Sequence, residues 1–182
     1  MKPRPRKCAC GCGERFVPTR PLQTAKTWQC ALRIAESGRE KAERRALKAA
    51  KIEAKPLSWF KTKAQNAVNA YVRARDQDEP CISCGRWHDG QWHAGHYLSV
   101  GSHPELRLDF DNIHKQCQPC NAHKSGNIPG YRPRLIAKIG TERVERLEEA
   151  HPPAHFSRDD LLSIEADAKA RLKQLQQERI AV

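Results

Sequence analysis

Cys81-Ile-Ser-Cys84, Trp92-His93-Ala-Gly95-His96, Asn112-Ile-His114 and Cys117-Gln-Pro-Cys120-Asn121-Ala-His123-Lys124 follow one another along a single stretch of the chain. A Cys-x-x-Cys pair presents two thiolates from one tight turn, and two such pairs make the tetrahedral S4 cage that zinc prefers. The 32 residues between Cys84 and Cys117 leave room for a two-stranded ribbon and a loop before the second pair opens a helix. Zinc on Cys81, Cys84, Cys117 and Cys120 would staple ribbon to helix. A closed S4 site has no open coordination position, so its role is structural; the competing reading is four reduced, buried thiols.

Composition points to the partner. The chain has 182 residues, 38% hydrophobic and 30% charged, which predicts a small core with long exposed helices. A net charge of +12 and a pI near 9.6 favour a polyanion, and nucleic acid leads, through phosphate contacts and counterion release. The charge is uneven: residues 1–55 hold 15 Lys or Arg against 5 Asp or Glu. No apolar signal core follows Met1 and no run is long enough to span a bilayer, so the expectation is a cytoplasmic protein with no membrane partner. In a reducing compartment, paired cysteines favour metal over disulfides.

Residues 1–35 read as a basic arm in which Arg4, Arg6 and Lys7 precede Cys8, Cys10, Cys12 and, later, Cys30. Two readings stand for these thiols: a second, smaller zinc knuckle, or free thiols on a flexible arm whose Pro and Arg content suits phosphate. Residues 36–55 are strong helix formers with few large apolar groups, a charged helical connector that either solvates or faces DNA. Residues 56–156 form the expected core unit. Within it Phe60, Ala64, Ala67, Val68, Tyr71 and Val72 recur at helical spacing behind Ser58 as N-cap, and Trp59 reads as packing rather than base stacking. Two short helices, 131–139 and 142–150, are split by Gly140 and Thr141. Residues 157–182 begin with the capping-box-like Ser157-Arg-Asp-Asp160 and continue as an amphipathic helix, which either folds back on the core or pairs with a second copy.

Cutting a phosphodiester needs a nucleophile, neutralised phosphate charge and help for the departing oxygen, which an imidazole near His96 and a divalent cation could supply together. His96 follows the strand-like Gln91-Trp-His93, and Asn121 directly follows Cys120, so the structural zinc would fix one relative to the other.

The order His96, Asn112, Asn121 resembles the HNH (ββα-metal) endonuclease superfamily. More closely, Gly95-His96-Tyr97, the run Leu106 to Cys117 and Cys120-Asn121-Ala-His123-Lys-Ser-Gly126-Asn127 look like the NinG/Rap recombination nucleases of lambdoid phages, over most of the chain. That resemblance implies an α+β fold: a small zinc-stapled ββα-metal core surrounded by α-helices, with a basic cysteine-containing N-terminal extension. It implies a structure-selective endonuclease acting on Holliday junctions and D-loops with Mg2+ or Mn2+ beside structural zinc. It makes His96 the general base, Asn112 the residue orienting base and loop, and Asn121 a ligand of the catalytic cation. The superfamily's usual second ligand stands immediately before the base, where this chain has Gly95. His93 is the substitute, with His114 and His123 behind it. Lys115 and Lys124 either join Arg4, Arg6 and Lys7 as DNA contacts or are simply solvated, Arg107 either binds DNA or holds the ribbon by a salt bridge, and expected partners include a second copy and host or phage recombination proteins. The competing readings are a non-catalytic zinc ribbon that binds nucleic acid and a recruiter of recombination proteins.

Overall fold

The computed structural model describes residues 4–153 and 155–180, and the chain divides into two units that meet at residues 55 and 56. In the first unit β1 (Arg6–Lys7) pairs antiparallel with β2 (Arg15–Phe16), and the turn between them carries Cys8, Cys10 and Cys12. Helix α1 (Trp28–Glu53) starts eight residues earlier than the composition suggests. Its N-cap is Thr27, whose side chain accepts from the Cys30 backbone N–H at 3.2 Å, so Cys30 sits in the first helical turn rather than on an arm. No residue of α1 is buried, in keeping with its nearly all-polar surface.

The second unit opens with α2 (Leu57–Arg75), which buries Phe60, Ala64, Ala67, Val68 and Val72. Its N-cap position is Pro56, and Ser58 lies inside the first turn instead of capping it. Strands β3 (Trp92–His96) and β4 (Ile113–Cys117) form an antiparallel ribbon with His93 opposite Gln116, Gly95 opposite His114 and His96 opposite Ile113. The second cysteine pair does not open a regular helix. Pro119–His123 is a single π-helical turn, and the chain passes through left-handed conformations at Ser125, Gly126 and Asn127 before α3 (Ile128–Ile139) begins. Short α4 (Thr141–Glu148) and long α5 (Arg158–Ile180) complete the chain. The mixture of helices with two small sheets is the α+β class read from the sequence.

Two apolar clusters flank the ribbon. In one, α2 packs with Leu108, Ile113 and, from α5, Leu161 and Ala168; Trp59 is half-buried against it with its ring edge-on to Phe60. In the other, Tyr97 and Leu106 pack with Tyr131, Leu135, Val144 and Leu147 of α3 and α4. Ser157 and Asp160 exchange hydrogen bonds, Asp160 N–H to Ser157 Oγ at 3.1 Å and Ser157 N–H to Asp160 Oδ2 at 2.9 Å, the reciprocal cap expected at the start of α5. Of the two dispositions open to α5, the chain adopts the fold back onto α2, which takes up the apolar face.

Asp76, 1% exposed at the end of α2, joins three elements. It accepts from Arg75 at 2.6 and 2.8 Å, from Lys138 Nζ of α3 at 2.7 Å and from the Lys115 backbone N–H of β4 at 3.0 Å. Burial works against its charge, but Arg75 and Lys138 overcome that and hold the carboxyl at about 2. The stability it lends is fully present above the ordinary aspartate value of 3.8 and is lost as pH falls toward 2. Asp76→Ala strands two partly buried cations, and urea unfolding at pH 7 should show a loss of about 3 kcal/mol, shrinking in strong acid.

Candidate metal centres and catalytic cleft

Four sulfurs converge at each of two places: those of Cys81, Cys84, Cys117 and Cys120 all lie within 4.8 Å of one another, and so do those of Cys8, Cys10, Cys12 and Cys30. In the core cluster the knuckle closes with Gly85 in the left-handed region, its N–H donating to the Cys81 carbonyl at 2.8 Å. Cys117 ends β4 and Cys120 lies in the π turn, so one ion would tie knuckle, ribbon and turn together. Sulfur acceptors are supported from outside: the Cys117 N–H donates to Cys81 Sγ at 3.4 Å and Asn127 Nδ2 to Cys120 Sγ at 3.8 Å, the polar support that thiolate ligands require. Burial and neighbouring thiols push Cys117 well above the ordinary thiol value, because so many thiolates cannot share one small space without a cation. The donor set therefore fits zinc.

The N-terminal cluster resolves the two readings of its thiols toward a metal-competent set of four, with Cys8 and Cys10 sulfurs 3.4 Å apart. The Cys10 backbone N–H and then the Lys26 N–H draw Cys8 down to about 6. Cys10, although the Cys12 N–H favours its thiolate, is pushed up to about 12 by the surrounding thiols. Sequence spacing left the choice open because the fourth thiol arrives on the first turn of α1. Metal analysis of the purified chain should find two zinc ions, and Cys30→Ser should remove one without changing the unfolding of the second unit.

Between the second unit's ribbon and the π turn lies a cleft of about 470 Å³ lined by His96, His103, Asn121 and Ser125. His96 stands at the end of β3 with its Nε2 2.9 Å from the Arg107 carbonyl. A carbonyl can only accept, so Nε2 carries the hydrogen and Nδ1 keeps its lone pair. Burial, aided by the charge of Arg107, lowers the imidazole below 6.5 against the opposing pull of that carbonyl, which leaves a neutral base at pH 7.

No hydrogen bond joins the Asn112 side chain to the His96 imidazole. Fully buried, Asn112 accepts the Leu98 N–H at 2.8 Å and donates to the carbonyls of Leu98 at 3.0 Å and Leu106 at 3.1 Å, pinning the loop between the strands that carries Arg107. It thereby fixes the loop whose Arg107 carbonyl meets His96.

The other sequence-predicted residues divide. His93, on β3, has a buried Nε2 with no partner. His114 is 1% exposed, bonded to Tyr131 Oη at 3.2 Å and lowered by burial to about 3, so it belongs to the core, while His123 is exposed. Lys124 is exposed near the cleft; Arg4, Arg6 and Lys7 are exposed within the first unit. Arg107 donates Nε–H to Gln65 Oε1 at 3.1 Å, with other donors to spare. Lys115 is a correction. It is 4% exposed, its ammonium lies 4.7 and 4.2 Å from the ring centres of Trp87 and Trp92 and donates to the Gln77 carbonyl at 2.8 Å, so it is used up inside the fold and offers no phosphate contact. Gln116 escaped notice because an amide on a strand carries no chemical signature. It is fully buried with an unpartnered Oε1. Its Oε1 and Asn121 Oδ1 both approach the place a side chain on Gly95 would take, and oxygen donors of that kind suit a hard divalent cation.

No helix among the described residues is long and apolar enough to cross a membrane. A family model described as Bacteriophage Lambda NinG protein matches residues 1–178. The chain is 40% identical to Protein ninG of Escherichia phage lambda over 197 aligned residues, covering 98% of this chain and 97% of that protein. It is likewise 40% identical to Protein ninG of Salmonella phage P22 over 186 residues, covering 92% of each. No solved structure matches.

Proposed function

The chain belongs to the NinG family of bacteriophage lambda and its relatives, and from that premise we propose that it is a metal-dependent, structure-selective DNA endonuclease acting on branched recombination intermediates in the host cytoplasm. One observation carries the reading: an imidazole lowered by burial, its tautomer fixed by a backbone carbonyl, lines the same cleft as Asn121. On this reading the ribbon β3–β4 and the π turn are a reduced ββα-metal core.

His96 Nδ1 accepts a proton from the attacking water, and the Arg107 carbonyl stabilises the imidazolium that results. Asn112 keeps that carbonyl in place by fixing the loop. Asn121 and His93 would hold Mg2+ or Mn2+. The cation, when bound, neutralises phosphate charge and stabilises the leaving 3′ oxygen. Lys124 and Arg107 contact phosphates beside the cleft, and Arg4, Arg6 and Lys7 add sequence-independent affinity from the first unit. Selectivity follows branch shape rather than base edges. Symmetric resolution of a junction calls for two copies, which must meet through a surface other than the α5 face already packed on α2.

The test is a labelled four-way junction against a linear duplex of the same sequence, with Mg2+ or Mn2+ and with EDTA. Cation-dependent cuts near the branch are expected. Junction binding with no such cuts would discard the endonuclease and leave a zinc-ribbon binder or a recruiter of recombination proteins.

A further inference from the structure

We propose that Gln116, from β4, supplies the oxygen ligand that Gly95 cannot, completing the divalent-cation set with Asn121 and His93; the proposal rests on the endonuclease reading above. A Cβ placed on Gly95 would stand 1.9 Å from Gln116 Oε1 and 2.8 Å from Asn121 Oδ1, so the space of a side chain at 95 is taken by the Gln116 amide. The residue thus reaches from the neighbouring strand to the place a first-strand ligand would occupy.

Its orientation is determined by its partners. Gln116 Nε2 lies 2.5 Å from the Gly126 carbonyl, which can only accept, and 2.5 Å from Ser83 Oγ. The nitrogen must therefore face those groups, which turns Oε1 toward Gly95 and Asn121. There it has no hydrogen-bond partner although the side chain is fully buried, a condition native folds rarely leave uncompensated. His93 lies directly opposite Gln116 in the ladder, on the same face, and its Nε2 is also buried and unpartnered. The Gln116 and Asn121 amide oxygens thus meet at the side-chain space of Gly95, and the residue paired with Gln116 on the same face carries an unpartnered imidazole nitrogen. Carbonyl oxygen with imidazole suits Mn2+. Asn121 also lines the cleft beside His96, which joins the set to the reacting side.

The competing arrangement turns Asn121 about so that its Nδ2 donates to Gln116, making Gln116 act only through Asn121. Mn2+ titration of the zinc-loaded, full-length chain, read by electron paramagnetic resonance of the free ion, separates the two. Gln116→Met should weaken Mn2+ binding about tenfold or more, with zinc content and circular dichroism retained, and Gly95→Asp combined with Gln116→Ala should recover it. Unchanged affinity in folded Gln116→Met overturns the proposal, as does a Gln116→Met substitution that costs nothing further in an Asn121→Ala background. Should Gln116→Met fail to fold, Gly95→Ala tests the same point by displacing Oε1; folded Gly95→Ala with unaltered Mn2+ affinity is equally fatal. If wild type binds Mn2+ and cuts junctions while these variants bind it normally, only the ligand assignment falls. Wild type that binds no Mn2+ removes the endonuclease reading as well.

Discussion

His96→Ala should lower the single-turnover rate of junction cleavage by about 10²–10⁴-fold, the usual contribution of a positioned general base. Junction affinity, zinc content and thermal unfolding should remain those of wild type. The separation is expected because the His96 ring gives the loop one hydrogen bond, to the Arg107 carbonyl, whereas Asn112 holds that loop independently by three. The pH profile supplies a second readout. Burial lowers the His96 pKa below 6.5, so the neutral, proton-accepting form predominates at pH 7. Cleavage should rise about tenfold per pH unit below that lowered value and level off above it. In His96→Ala the residual rate should lose this limb. An alanine variant that cuts at the wild-type rate removes His96 from the mechanism.

Cysteine spacing and strand alternation made the core cluster and ribbon legible, because zinc coordination and a two-residue period both leave marks in sequence. His96 and Asn121 were legible through their positions relative to those marks, and the fold brings both to one cleft. Three features left no such mark. Helix α1 begins at Trp28 because Thr27 caps it, but the Cys30 it carries reads in sequence as part of a knuckle. Lys115 looks like a surface cation beside His114, yet strand alternation puts it on the face of Trp92, where Trp87 and Trp92 cover it. Gln116 and Gly95 are uninformative singly, and only the diagonal across the β3–β4 ladder shows that one fills the space the other lacks. Local chemistry is written along the chain, whereas these roles arise from cross-strand neighbours.

Cys117→Ser should abolish the cooperative fold of residues 56–182, which makes it the most destructive single change expected in this chain. The two apolar clusters lie on either side of a ribbon of only two strands, and such a ribbon has no independent stability. The four sulfurs tie it to the Cys81–Cys84 knuckle and the π turn, beside the Ile82 N–H bond to the Lys115 carbonyl and the Gln116 amide bonds to Ser83 and Gly126. Structural zinc contributes about 10–16 kcal/mol in small metal-folded units, comparable to or larger than the roughly 5–15 kcal/mol net stability of a whole domain. The set cannot fall back on three sulfurs without loosening one of the elements it joins. Circular dichroism and urea unfolding should therefore show Cys117→Ser without a cooperative transition at 25 °C, whereas Cys30→Ser retains it. The same logic separates the two kinds of metal: a brief chelator pulse should stop cleavage at once by removing the exchangeable cation and leave the fold intact, because the sulfur-bound ion leaves only with unfolding. A cooperative wild-type transition in Cys117→Ser would show that the apolar clusters hold the ribbon without the metal.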